Sequence, residues 1–197
     1  MSIPTMLRPA LMGLGFAAML SLSAAPFAQD EFTAPLTELA KGEIATFASD
    51  PALISAIQAQ NAVTAAYDQA KIDALDTQWR AEVGTASKPL IDATLANAAS
   101  QYLAGVQEAS GGKYTEIFAM DAKGLNVGQS TLTSDYWQGD EDKFTMSFGA
   151  GATAVHLGEV EQDESTQTFQ SQVSLTIVNA AGEPIGAITV GVDLASL

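Results

Sequence analysis

The chain contains no cysteine. That excludes disulfides, thiolate zinc sites, cysteine nucleophiles, iron–sulfur clusters and thiol redox chemistry together. It also removes the acylated cysteine that a bacterial lipoprotein needs. Positive charge is scarce: 8 lysines and arginines face 23 aspartates and glutamates, for a formal net charge of −15 at pH 7. A field of that sign repels nucleic acid and anionic lipid at long range, so no nucleic-acid partner is expected. The single histidine, His156, is flanked by Val155 and Leu157 in a strand pattern. With no cysteine and no second histidine beside it, it makes no metal site and reads as a sheet residue. No serine sits in a G-x-S-x-G elbow, and Gly149-Ala150-Gly151 lacks the Lys-Ser or Lys-Thr of a phosphate loop. Neither a catalytic residue nor a cofactor is expected.

What is present is a globular composition, 47% hydrophobic and 16% charged over 197 residues, enough for one good core. Residues 1–28 carry one cation, Arg8, then an apolar run, then Ser23-Ala24-Ala25-Pro26-Phe27-Ala28. This order describes a secretory signal peptide cut after Ala28, which makes residues 29–197 the mature domain and the periplasm its compartment. The rival is an uncleaved anchor over residues 9–28, long enough for about 30 Å of hydrocarbon. Two glycines, two serines and two prolines make that stretch a poor span. No other stretch approaches membrane-spanning length and no output module follows, so a signal is expected to pass through a second protein.

Residues 34–83 have a helical pattern, with Asp50-Pro51 as an N-cap and first helical position after a short leading helix. In the long helix that follows, Ile54, Ile57, Asn61, Ala65, Asp68, Ile72, Leu75 and Trp79 recur at spacings of three and four. Asn61 and Asp68 interrupt the apolar stripe. Either the helix rotates so that Val63, Ala66 and Tyr67 take over the contact, or the two polar residues meet partners across an interface. The stripe packs on its own sheet or offers a face for a homodimer. A second helix over residues 89–110 ends at Gly111-Gly112. The period then changes to two, with strands expected at 114–120, 124–130, 143–148, 153–159, 167–179 and 184–193. Two helices followed by strands on short turns imply an α+β fold, an antiparallel sheet with the helices on one side.

Between the first hairpin and the later strands lies the loop Ser134-Asp135-Tyr136-Trp137-Gln138-Gly139-Asp140-Glu141. Aromatic and charged groups on an ordered loop are where a rigid sheet presents a binding site. Two acidic runs, Asp140-Glu141-Asp142 and Glu159, Glu161, Asp163 and Glu164, fit no EF-hand spacing. They form a solvated surface or a shared calcium or magnesium site, and the second of these makes an acidic divalent-cation-binding module the alternative function.

The long helix ending near Trp79, the second helix, the strand Ile117-Phe118-Ala119-Met120-Asp121-Ala122-Lys123-Gly124 and the closing Gly182-Glu183-Pro184-Ile185-Gly186-Ala187-Ile188 and Gly191-Val192-Asp193-Leu194 carry a resemblance. From about residue 36 to 197 the chain resembles a single Cache, or PDC-like, sensor domain, and in particular the stand-alone periplasmic PDC sensor proteins. The resemblance implies a curved antiparallel sheet backed by the long helix, with a small ligand held between the concave face and the loops that cross it. It further implies signalling through a membrane receptor or histidine kinase. The ligand-binding candidates are Trp79, Arg80, Asp121, Asp135, Tyr136, Trp137, Asp140 and Lys143. Family members that grip an α-carboxylate place an arginine close before the aromatic pair, whereas here Thr131-Leu132-Thr133-Ser134-Asp135 precedes Tyr136-Trp137. Only Arg80 and Lys143 are plausible cations, so a cationic or neutral ligand is expected, held by Asp135 and the face of Trp137.

Overall fold

A computed structural model of the chain describes residues 29–162 and 168–197. The expected signal peptide, and Asp163 and Glu164 of the second acidic run, lie outside the described residues. Helix α1 (Gln29–Leu39) runs through a π-helical stretch, Ala40–Ile44, into α2 (Ala45–Ala48). Then come α3 (Pro51–Thr64), α4 (Gln69–Glu82), α5 (Pro89–Ala96) and α6 (Ala98–Ala109). The second half holds β1 (Tyr114–Asp121), β2 (Asn126–Gln129), α7 (Asp142–Thr145), β3 (Val155–Leu157), β4 (Glu161–Gln162), β5 (Phe169–Val178) and β6 (Pro184–Asp193). Every strand pairing is antiparallel, in the order β2-β1-β6-β5-β3 with β4 also on β5. The α+β class expected from the sequence is the observed one.

The helices start where side chains can satisfy free amides. Asp50 accepts from the Ala52 amide at 2.8 Å with Pro51 in the first helical position. The expected long helix is interrupted for the same reason: Asp68 is extended, and its carboxylate accepts from the Lys71 amide at 2.9 Å to start α4. Asn97 does likewise between α5 and α6, accepting from the Ser100 amide at 2.8 Å. Asn61, the other polar residue of the stripe, meets its own sheet. Its Oδ1 accepts from the Ala122 amide at 2.8 Å and its Nδ2 donates to the Ile185 carbonyl at 2.7 Å. Val63 remains 59% exposed, so no rotation brings it inward. The homodimer expected through one long helix therefore loses the continuous stripe on which it rested.

A second correction concerns residues 143–148, which form α7 and the start of a 3-10 turn, Phe148–Ala150, in place of a strand. Glu141 and Asp142 at its start favour a helix N-terminus, and the Ser147 hydroxyl donates to the Lys143 carbonyl, closing the turn. The strand expected at 153–159 narrows to the three residues of β3.

Alternation along β1, β5 and β6 gives the sheet two different faces. Ile117, Ala119, Val173, Leu175, Ile188, Val190 and Val192 point to the helices and pack with Leu36, Ile44, Leu53, Ile57 and Leu103. Each such aliphatic side chain contributes about 1.5–3 kcal/mol on burial. The other face carries Phe118, Met120 and Ala187 beneath Phe144 of α7, with Ser174 and Thr189 hydrogen-bonded at 2.9 Å and both fully buried.

Candidate ligand site on the loop-covered face

The loop over residues 130–141 is tied to the first hairpin by backbone. The Asn126 amide donates to the Tyr136 carbonyl at 3.0 Å and the Gln138 amide to the Gly124 carbonyl at 2.8 Å, around a bridge between Leu125 and Trp137. Gly124 permits this approach: its φ is +81°, and a Cβ there would lie 2.5 Å from the Gly139 Cα. A helix supplies the second tie. The Asp76 carboxylate accepts from the Tyr136 and Trp137 amides at 2.9 and 3.1 Å and from the Arg80 guanidinium at 2.7 Å. Burial pushes the Asp76 carboxyl up, but the Arg80 hydrogen bond and the two amides outweigh it and hold its pKa below the ordinary value.

Most of the side chains singled out in the sequence are committed to this scaffold. Trp79 is fully buried, stacked on Tyr136 with centroids 5.2 Å apart, and its indole N–H donates to the Thr133 carbonyl at 3.0 Å. It is out of reach of a ligand. Arg80 pairs with Asp76 and, at 3.2 Å, with Asp135. The Asp135 carboxylate also accepts from the Gln138 amide group. Trp137 donates its indole N–H to the Lys123 carbonyl at 2.8 Å. The Asp135 carboxylate and the Trp137 indole N–H are thus engaged by the chain itself, while both side chains remain partly exposed. Asp140 is exposed. Asp121 is fully buried behind the hairpin turn, on the helix side of the loop. Asp76, which the sequence did not single out, organises the group, and its signal was faint: an acid four residues before Arg80 on one helix.

The space between the sheet and the crossing loop, where the resemblance implies a ligand, is partly taken up by side chains. Gln138 is 1% exposed, and Phe118, Met120 and Phe144 pack together on this face of the sheet. Space opens beside it, in a cleft of about 580 Å³ between α7, β3 and β5. Its lining includes Glu141, Asp142, Glu159, Glu161, Lys143 and His156. Of these, Lys143 has its ammonium 2.8 Å from the Glu141 carboxylate, 3.3 Å from the Gln138 Oε1 and 5.5 Å from the centroid of the Phe118 ring. On β2, at the other edge of the sheet, the buried side chains of Asn126 and Gln129 leave an acceptor, Asn126 Oδ1, and a donor, Gln129 Nε2, without partners. Among the described residues no group of three carboxylate or imidazole side chains converges as a metal site.

No protein-family model and no curated protein matches the chain in sequence. Solved structures similar to it include the sensor domain of the V. cholerae histidine kinase DctB, at 16% identity over 84% of this chain and 58% of that one, with a TM-score of 0.39. The ligand-binding domain of the Pseudomonas aeruginosa amino acid chemoreceptor PctC, in complex with GABA, is 15% identical over 80% of this chain and 62% of that one, with a TM-score of 0.40. That of the Campylobacter jejuni chemoreceptor Tlp3, in complex with 4-methylisoleucine, is 12% identical over 75% and 62%, with a TM-score of 0.38. The chain spans about three fifths of the length of these domains. All three are sensor or ligand-binding domains, the class that the sequence resembles.

Proposed function

We propose that this domain is a small-molecule sensor whose ligand presents an ammonium group to the loop-covered face of the sheet. The observation that carries the reading is the setting of Lys143. An aromatic face, a carboxylate and an amide oxygen surround the ammonium of Lys143, a residue that also lines a cleft of about 580 Å³, a volume within the usual range for metabolite sites. These are the groups by which a site recognises an organic cation. Four carboxylates line the same cleft against that one ammonium, so a second positive group is favoured and an anionic ligand is not. A short aliphatic diamine fits this description. The site is one of binding rather than catalysis.

The wider reading is an exported domain, cleaved after Ala28, that reports occupancy to a membrane receptor or histidine kinase. It is supported by the basic, apolar and small-residue order of residues 1–28 and by the acidic surface. No helix among the described residues is long and apolar enough to cross a membrane. Mass spectrometry of the periplasmic protein tests the cleavage: an N-terminus at Gln29 is expected, and an intact Met1 overturns it.

A thermal-shift panel of amines, dicarboxylates and purines tests the ligand class. At a hundredfold excess over Kd the native state gains about 2.7 kcal/mol, which raises the melting temperature by roughly 5–10 °C in a domain of this size. Diamines are expected to give that shift, with or without chelator. A shift with dicarboxylates alone overturns the reading, as does one that a chelator abolishes.

A further inference from the structure

The opposite side of the sheet holds a second cleft, of about 500 Å³, between α3, the turn that follows it, α4, the α5–α6 junction and β2. Its walls are aliphatic, formed by Ala59, Val63, Leu75, Leu90 and Val127 over a floor at the fully buried Leu125. The polar residues of its lining are Gln60 and Thr64 of α3, Tyr67, Asn97 and, from the loop, Tyr136. Behind Gln60 and Thr64 lies Asp121. Its Oδ2 accepts from Gln60 Nε2 at 3.1 Å and from the Thr64 hydroxyl at 2.9 Å, and its Oδ1 from the Lys123 and Leu125 amides at 2.8 and 3.0 Å. The carboxylate is 0% exposed and takes part in no ion pair among the described residues. A full negative charge is therefore set behind the cleft and held by neutral donors alone.

That charge decides what the cleft admits. Burial first, and then the Asp121 carboxylate, push the Tyr136 phenol up to about 12, so its hydroxyl remains protonated in the cleft. Gln60 spends its N–H groups on Asp121 and on the Leu125 and Asn126 carbonyls, the latter two at 3.3 Å, which leaves its own carbonyl oxygen to accept. A ligand carboxylate here would face Asp121 with no lysine or arginine in the cleft's lining to offset it, Lys71 lying outside, 5.8 Å over the ring of Tyr67. An ammonium would gain from the same field.

We propose that this cleft is a second ligand site, independent of the loop-covered one, for a small molecule with an apolar, ring-sized body and a single ammonium group. The aliphatic walls take the body, and the Gln60 carbonyl and Tyr136 hydroxyl, backed by Asp121, take the ammonium.

The test is calorimetric titration of the full chain with phenethylamine, phenethyl alcohol and phenylpropionate, three molecules that share a ring and differ in charge. Phenethylamine is expected to bind with a Kd of about 1 mM or tighter, the alcohol more weakly, and the acid not at all. Ala98, exposed at the cleft's edge, provides a variant that leaves the core alone. Ala98→Phe is expected to cost at least about tenfold in phenethylamine affinity, or 1.4 kcal/mol, with the melting temperature and the diamine titration unchanged. Asp121→Asn is expected to narrow the preference of amine over alcohol. Equal binding of acid and amine overturns the proposal. So does an undiminished affinity in folded Ala98→Phe, or the absence of phenethylamine binding to the folded wild-type chain. Phenethylamine binding without diamine binding supports this site and counts against the loop-covered one alone.

Discussion

The ammonium of Lys143 lies 5.5 Å from the centroid of the Phe118 ring and 2.8 Å from the Glu141 carboxylate, so in the proposed site a tethered cation competes with the ligand's ammonium. Lys143→Met removes that competitor. The partly exposed ion pair and the cation–π contact together are worth on the order of 1 kcal/mol. The variant is therefore expected to bind a diamine several-fold and up to about tenfold tighter, read by calorimetry. A weakened affinity would mean that Lys143 contacts the ligand and does not compete with it.

Asp76 holds the loop, and its lowered pKa fixes the sign of a pH dependence. A carboxyl depressed in the folded state contributes stability that is fully present above its ordinary value, about 3.9 for aspartate, and is lost as pH falls through the lower folded value. Asp76→Ala is expected to cost about 1.5–3 kcal/mol at neutral pH, the range for hydrogen bonds to a charged group. In urea titrations its gap to wild type should narrow below about pH 4. A gap that widens with acid would contradict the role.

Much of the fold was legible because alternation along a strand survives translation into structure. β6 has the bounds expected from its pattern, and β1 extends by one residue. Where the expectation missed, a side chain had a local partner that periodicity ignores. Asp68 and Asn97 sat inside helical patterns as N-caps, and an acid-led segment around Lys143 coiled where alternation suggested a strand.

Asp121 accepts from four neutral donors, the Gln60 side-chain amide, the Thr64 hydroxyl and the Lys123 and Leu125 amides. Asp121→Ala strands those donors in a buried place, each costing about 1–3 kcal/mol when unpaired. A total loss on the order of 3 kcal/mol or more is expected in chemical denaturation. A loss under about 1 kcal/mol would show that water reaches these donors freely.

At Gly124 the constraint is geometric. Its φ of +81° and the Gly139 backbone 2.5 Å from any added Cβ make Gly124→Ala strained twice over. A cost of about 1–3 kcal/mol is expected, with a lower melting temperature as the readout. An unchanged melt would mean that the turn and the loop part without penalty.

The site was less legible than the fold. The aromatic pair Tyr136-Trp137 reads as a ligand platform until Asp76, sixty residues earlier, is found on both of their amides. Nothing local to the loop announces that tie. Lys143 was visible as a cation of the loop, but its placement over Phe118 depends on α7 and the sheet face meeting, a contact between segments that no spacing encodes.

The most direct measurement is isothermal titration of the folded full chain with putrescine and, separately, with succinate. One-to-one binding of putrescine, tightened by Lys143→Met, is expected, with no heat of binding from succinate. Binding of succinate, or no binding of putrescine to protein whose circular dichroism shows it folded, would contradict an ammonium-recognising face.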